Sequence, residues 1–320
     1  MHWLKSNEMV ATFILYIASM EILTISIAID PDFERAIPPT PKFQGTFDES
    51  HAHEIIADRI RSWTEQEKQH LWELSGLYEG DIMLVEGKDL SKNGLVNSAF
   101  RWPAGIVPYY IKEEDFDQED IDLIEAAIKE YHESTCIRFR PFKKTDNDYI
   151  SIEGKMSGCW SLVGRHVRGQ VVNLQNPGCV KHGVIVHELM HAVGFYHQQS
   201  AADRDEWVTI NWENVKSGKE HNFNKYDNRT VTDYGIGYDY TSVMHYSSHA
   251  FSKNGEPTIT PKVSRYIHVY SSIHPFILST FLIIIYISYC TDLYCVEERN
   301  QTWTAKRTQW KGYIKVARNV

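Results

Sequence analysis

The sequence predicts an α+β domain in which a sheet of short strands is backed by two helices. Two observations carry this. Residues Gln118 to Ser134 place Ile121, Ile124, Ala127, Ile128 and Tyr131 at helical spacing with an acidic outer face, and Val184 to Gly194 forms a second, apolar helix. Around them lie short runs with strand character, separated by polar turns, and a mixture of that kind packs as a sheet against helices.

In chain order, residues 10–20 are an apolar run behind Lys5, followed by a second apolar run from Ile22 to Ala28 and the small-residue pattern Ser26-Ile27-Ala28. This reads as a secretory signal peptide, residues 1–28, and predicts a secreted, extracellular protein. A retained membrane anchor is the weaker alternative, because Glu21 sits badly in a bilayer. Residues 29–92 read as a separate, acidic, weakly structured stretch with a proline-rich opening, a charged helical piece from His53 to Leu74, and Tyr78-Glu79-Gly80-Asp81 near its end. The denser region begins near Phe100. Arg101-Trp102-Pro103-Ala104-Gly105 is a turn, and Ile106 to Ile111 a strand. Cys136 to Phe142 alternates Ile137 and Phe139 with Arg138 and Arg140, as a half-buried strand does; Tyr149 to Ile152 and Val171 to Leu174 are further strands.

The 320 residues are 42% hydrophobic and 23% charged, too apolar for a disordered chain and too polar for a multispanning membrane protein. A net charge of −9 leaves no basic face for nucleic acid. In an oxidising compartment the five cysteines are read as bridged, with one left over. The triplets beginning at Asn228 and Asn300 are glycosylation acceptors by pattern.

His187-Glu188-Leu189-Met190-His191 carries the chemistry. Residues four apart share a helix face, so His187 and His191 can address one ion, and Glu188 can reach its open side. Imidazole suits zinc, which lowers the pKa of bound water to about 7; Glu188 is then the general base. A short motif of this kind arises by accident in many helices. Here it continues to Gly194 and His197. A third ligand six residues after His191 requires a sharp bend, and Gly194 is the residue that can make it.

Ser242-Val243-Met244-His245-Tyr246 follows as a methionine turn, and a long zinc motif with such a turn marks a metzincin. Together with Arg101-Trp102-Pro103, Cys159 to Arg165 and Asp203-Arg204-Asp205, these residues resemble the astacin family of zinc metalloendopeptidases, from about residue 77 to residue 262. The resemblance implies a zincin-like α+β fold: a mixed twisted sheet with two long helices above a C-terminal subdomain, the active-site cleft between. It implies one zinc per chain on His187, His191 and His197, Glu188 as base, Met244 as an apolar floor, and Tyr246 as a switchable ligand that stabilises the oxyanion. Cys159 to Gly164 would be an edge strand that pairs with extended peptide. Asp81 would occupy the water position on zinc in a latent precursor, released by an activating protease that cuts before Arg101; Lys92-Asn93 is our candidate bond. Cys159 would pair with Cys179, and Cys136 with a cysteine near the domain's C-terminal end, Cys290 or Cys295.

Three positions depart from the family pattern. Gln198 stands where a glutamate usually anchors the new N-terminus, Ala201-Ala202 replace a basic residue and proline and predict a looser loop, and the pattern stops after Lys262. The apolar run 276–289 is shorter than the roughly 20 residues of a membrane helix, so residues 263–320 read as an atypical tail rather than an anchor. The expected organisation is thus signal peptide 1–28, propeptide 29–92, catalytic domain 93–262 and tail 263–320. The expected function is hydrolysis of peptide bonds in extracellular proteins. A catalytically silent binding protein using the same cleft is the alternative, and a membrane-tethered structural protein a third reading.

Overall fold

The computed structural model describes residues 36–41, 50–85, 98–227 and 237–262. The expected signal peptide, the Lys92-Asn93 bond, the two glycosylation triplets, the apolar run 276–289, Cys290 and Cys295 lie outside the described residues. All described elements belong to the unit that begins at Ile37.

Five strands make the principal sheet: β1 (Ile106–Ile111), β2 (Arg138–Pro141), β3 (Ile150–Glu153), β4 (Cys159–Ser161) and β5 (Gln170–Leu174). Their order is β2-β1-β3-β5-β4. The first four in that order run parallel, with Ile106 opposite Arg138, Tyr109 opposite Ile150 and Ile150 opposite Gln170. β4 runs antiparallel to β5 at the edge, Cys159 opposite Leu174, so the sheet is mixed, with the edge strand where the family resemblance places it. β3 and β5 are buried at every residue, as parallel strands covered on both faces must be.

Of the helices, α1 is Ser50–Ser62, α2 is Gln118–Ser134 and α3 is His182–Val193. Asp117 caps α2 in a reciprocal pair with Asp120, which satisfies two otherwise orphaned donors. Ile124, Ala127, Ile128 and Tyr131 face the core as their spacing predicts, with Ile121 at its margin. The Tyr131 hydroxyl donates to Val186 O at 2.8 Å and ties α2 to α3; Trp102 Nε1 donates to Ala192 O at 2.8 Å. α3 is buried from Val184 to Val193.

Below this layer, β6 (Val208–Ile210) and β7 (Ile259–Pro261) form a two-stranded ribbon. Both are only three residues long and carried no periodicity by which to recognise them. A separate apolar cluster sits here around Phe223, Tyr240, Tyr246 and Phe251. Met244 belongs to the upper core and Tyr246 to the lower one, so the methionine turn stitches the two halves together. The loop at Ala201-Ala202 is not loose: Arg204 is buried and donates to Gln199 O at 2.9 Å, and its backbone N–H bonds Ala201 O at 3.1 Å. That guanidinium holds the loop from inside, where a proline would hold it by restricting the backbone.

Residues 50–85, read as a separate and weakly structured stretch, are ordered against the domain. Ile60, Leu71 and Trp72 are part of the main core, and Ser75 Oγ bonds both the carbonyl and the N–H of Cys159, at 2.7 and 2.9 Å. The helical piece starts at Ser50 and ends at Ser62; the polar run after Trp63 turns instead, before a single 3-10 turn at Trp72–Leu74. These few apolar side chains make no core of their own; they fill hollows in a partner surface, which periodicity within one segment cannot reveal.

Cys159 and Cys179 are bridged across 20 residues, as the resemblance implied. Cys136 is likewise disulfide-bonded, and its partner lies outside the described residues. Closing a loop of this length removes about 3 kcal/mol of denatured-state entropy. The double change Cys159→Ala, Cys179→Ala should therefore lower the unfolding free energy by about 3 kcal/mol, read from denaturant unfolding with the midpoint and the slope both fitted.

Candidate metal centre

α3 presents His187 and His191 one turn apart, and Gly194 ends it with φ at 119°. The Gly194 and Phe195 N–H groups close the helix onto His191 O and Met190 O, at 2.8 and 3.1 Å. No side chain with a Cβ takes that backbone conformation cheaply. The chain reverses there, and His197 returns to its two predecessors. Ring centroids lie 4.8 Å apart for His187 and His191, 4.7 Å for His191 and His197, and 5.3 Å for His187 and His197.

Each ring is fixed from behind. Nδ1 of His187 meets Val243 O at 2.8 Å, Nδ1 of His191 meets Phe195 O at 2.6 Å, and Nδ1 of His197 meets Glu79 Oε2 at 2.8 Å. With Nδ1–H donating in each case, the three Nε2 lone pairs face inward. What they face is Asp81. Its Oδ2 lies 2.9 Å from His187 Nε2 and 3.3 Å from His197 Nε2, and its Oδ1 lies 3.4 Å from His191 Nε2. One ligand atom from each of the four residues lies within 4.8 Å of the others, and all four side chains are buried. Donors on a tetrahedral ion with bonds of about 2.0–2.1 Å stand roughly 3.4 Å apart, close to the 3.3 and 3.4 Å that separate Asp81 from His197 and His191. Asp81 Oδ1, His191 Nε2 and His197 Nε2 are buried without a hydrogen-bond partner, which is costly for polar atoms unless a cation takes them up. Three imidazoles and a carboxylate are a donor set that fits zinc.

Electrostatics agree. Burial pushes the Asp81 carboxyl up, but the facing His197, His191 and His187 rings outweigh it and hold it well below the ordinary range. Burial, and then the Asp81 charge, push Glu188 well above its ordinary value, and neither Glu188 oxygen has a hydrogen-bond partner.

Met244 is fully buried, and its carbonyl accepts from Gln198 N at 2.8 Å. The methionine turn therefore positions two histidines, His187 through Val243 O and His197 through its neighbour. This contact is made by the Gln198 main chain and does not depend on which side chain stands at that position. Tyr246 lies beside the cluster, its ring 4.8 Å from that of His197, but its hydroxyl donates to Glu79 O at 2.7 Å. The segment carrying Asp81 also occupies the edge strand: Ser161 N bonds Asp81 O at 3.1 Å, Met83 N bonds Ser161 O at 2.8 Å, and Ile82 pairs with Ser161 in parallel. Gly80, at φ 93°, passes so close to Glu73 that an added Cβ would stand 3.1 Å from the Glu73 Cα, which accounts for the glycine of the motif.

Sequence reasoning missed three contributors from this same segment. Trp72 stacks on His187 at 4.3 Å. Glu73 accepts from Ser247 N and Oγ at 2.6 and 2.9 Å. Glu79 backs His197. Only Glu79 had a signal, its place inside the four-residue motif.

A family model described as Astacin, a peptidase family, matches residues 95–273, more than half of the chain. Zinc metalloproteinase nas-13 of Caenorhabditis elegans is 46% identical over 182 residues, which are 57% of this chain and 40% of that protein. Low choriolytic enzyme of Oryzias latipes is 42% identical over 189 residues, 58% of this chain and 68% of that protein. The solved structure of high choriolytic enzyme 1, a hatching enzyme zinc-protease from the same fish, superposes with a TM-score of 0.53 at 34% identity, covering 61% of this chain and 96% of that one. The chain thus spans less than half the length of nas-13.

A buried cluster that needs a cation loses stability when deprived of it. Stripping metal from the full chain with a strong chelator should lower its melting temperature, and zinc should restore it in a concentration-dependent way; zinc at a thousand times its dissociation constant corresponds to about 4 kcal/mol.

Proposed function

The chain belongs to the astacin family, and we propose that it is a secreted zinc-dependent endopeptidase made as a latent zymogen. One observation carries the reading: three buried imidazoles converge with their Nε2 atoms on one point, with Glu188 buried beside them. The residue roles are those the family resemblance implies, and the geometry supports them; the proposed organisation is the one set out above.

Zinc, when held by His187, His191 and His197, supplies a Lewis acid that makes water nucleophilic near neutral pH and polarises a carbonyl. Glu188 takes a proton at a carboxylate oxygen and passes it to the departing amine. The Tyr246 phenol, kept protonated chiefly by burial, is a hydrogen-bond donor for the oxyanion once it leaves the Glu79 carbonyl. The β4 edge binds the substrate main chain, here an extended stretch of an extracellular protein. In the precursor, Asp81 and the segment on Ser161 stand in both places, so the precursor is inactive. An activating protease acting near Lys92-Asn93 removes them. Met244 packs as the apolar floor.

The test is to cut the secreted precursor with a Lys-directed protease and follow casein cleavage. Turnover should appear only after the cut, vanish with a chelator, and fall by about a hundred- to ten-thousand-fold in Glu188→Ala. A folded, zinc-loaded, fully cut chain without turnover would replace this reading with that of a silent binding protein. Tyr246→Phe should lower kcat by about a hundred- to a thousand-fold with little change in KM, as expected when one oxyanion donor is lost; an unchanged kcat would remove Tyr246 from the mechanism.

A further inference from the structure

Two of the three histidines are held by their own domain. His187 and His191 lean on the main-chain carbonyls of Val243 and Phe195. His197 instead leans on the carboxylate of Glu79 at 2.8 Å, and Glu79 belongs to the segment that the proposed activation removes.

Glu79 is fixed at every polar atom. Its side chain is fully buried. Oε2 accepts from His197; Oε1 accepts from the Tyr226 hydroxyl at 2.8 Å and from Ser200 Oγ at 3.2 Å. Its N–H donates to Asn222 Oδ1 at 2.9 Å, and its carbonyl accepts from the Tyr246 hydroxyl at 2.7 Å. The backbone is held at φ 46°, a left-handed conformation that costs a non-glycine residue energy and persists only where its surroundings impose it. Nothing in the turn Leu77–Gly80 itself calls for a glutamate there; the residues that receive it all lie in the domain beyond.

We propose that Glu79 is a positioning residue for His197, and that the prosegment therefore holds the metal site with two carboxylates: Asp81 in front of the histidines and Glu79 behind the third. This rests on the reading that the three imidazoles bind zinc. A carboxylate on Nδ1–H fixes the tautomer and ring orientation and makes Nε2 a stronger donor, and loss of such a partner typically weakens metal binding 10- to 100-fold. Glu79 also ties the Tyr246 hydroxyl through its carbonyl, so a single residue restrains both a ligand and the proposed oxyanion donor. Removal of the prosegment frees the fourth position on the metal and also weakens the hold on His197, so the mature enzyme binds its zinc less tightly than the precursor.

The experiment measures zinc release from the full-length precursor into a chromogenic chelator, for wild type, Glu79→Gln, Glu79→Ala and Asp81→Asn, with melting temperature and the visible spectrum of the cobalt(II) form recorded alongside. Glu79→Gln keeps the shape and should still fold. It should bind zinc about 10- to 100-fold more weakly with Asp81 intact and shift the cobalt bands, since these report the ligand set directly. Zinc held by Glu79→Gln as tightly as by wild type overturns the proposal. So does a merely structural result, in which the melting temperature falls while the cobalt spectrum and zinc affinity stay put. A wild-type precursor that takes up no zinc overturns both this inference and the functional reading, whereas tight zinc in wild type and Glu79→Gln alike overturns this inference alone.

Discussion

A carboxylate and three imidazole nitrogens meet at one point out of reach of water, and the rest of the structure is arranged around that meeting. Left to themselves these groups are expensive to bury, because lone pairs on two histidines and one oxygen of Asp81 have no partner. A divalent cation answers all of them at once. α3 supplies two donors one turn apart and is anchored through Tyr131 and Trp102; Gly194 supplies the bend for the third; the methionine turn fixes them from below; and the segment from Trp72 to Met83 closes the site from above.

That closing segment acts through several kinds of contact. Main-chain pairing with Ser161 sets its register, Trp72 covers His187 with a stacked ring, and Glu73, Glu79 and Asp81 each carry a carboxylate into the interior. Three buried acids from one short stretch would destabilise any segment that lacked prepared partners. Here they meet Ser247, then His197 with Ser200 and Tyr226, and finally the histidine cluster. Polar residues in such numbers make the docked state specific: a shift in register would leave all three unpaired. The proposed latency is thus a property of placement, which cutting the chain abolishes without altering any residue of the domain.

The parts legible in the sequence were those whose information is local. The spacing of His187 and His191, the glycine before His197, the apolar stripe of α2 and the alternation around Ile137 each constrain structure within a few residues, and each element lies where it was read, within two or three residues at its ends. Asp81 was found by resemblance, and the structure puts it in contact with all three histidines. The strands β6 and β7 were not legible, since three residues carry no periodicity. The packing of residues 50–85 was not legible either, because the hollows that receive Ile60, Leu71 and Trp72 are made by distant strands and helices. Glu79 is the sharpest case: its place in the four-residue motif marks the position, but nothing there announces a partner at His197, more than a hundred positions away.

The central claim, that zinc in the precursor is bound by three histidines and one prosegment carboxylate, is open to one direct measurement: X-ray absorption at the zinc edge on the purified, uncut chain. The account predicts a four-coordinate site with three imidazole nitrogens and one carboxylate oxygen at about 2.0–2.1 Å, the oxygen replaced by water in Asp81→Asn. A wild-type site with fewer than three imidazoles, or one whose fourth ligand is the same in wild type and Asp81→Asn, would contradict it.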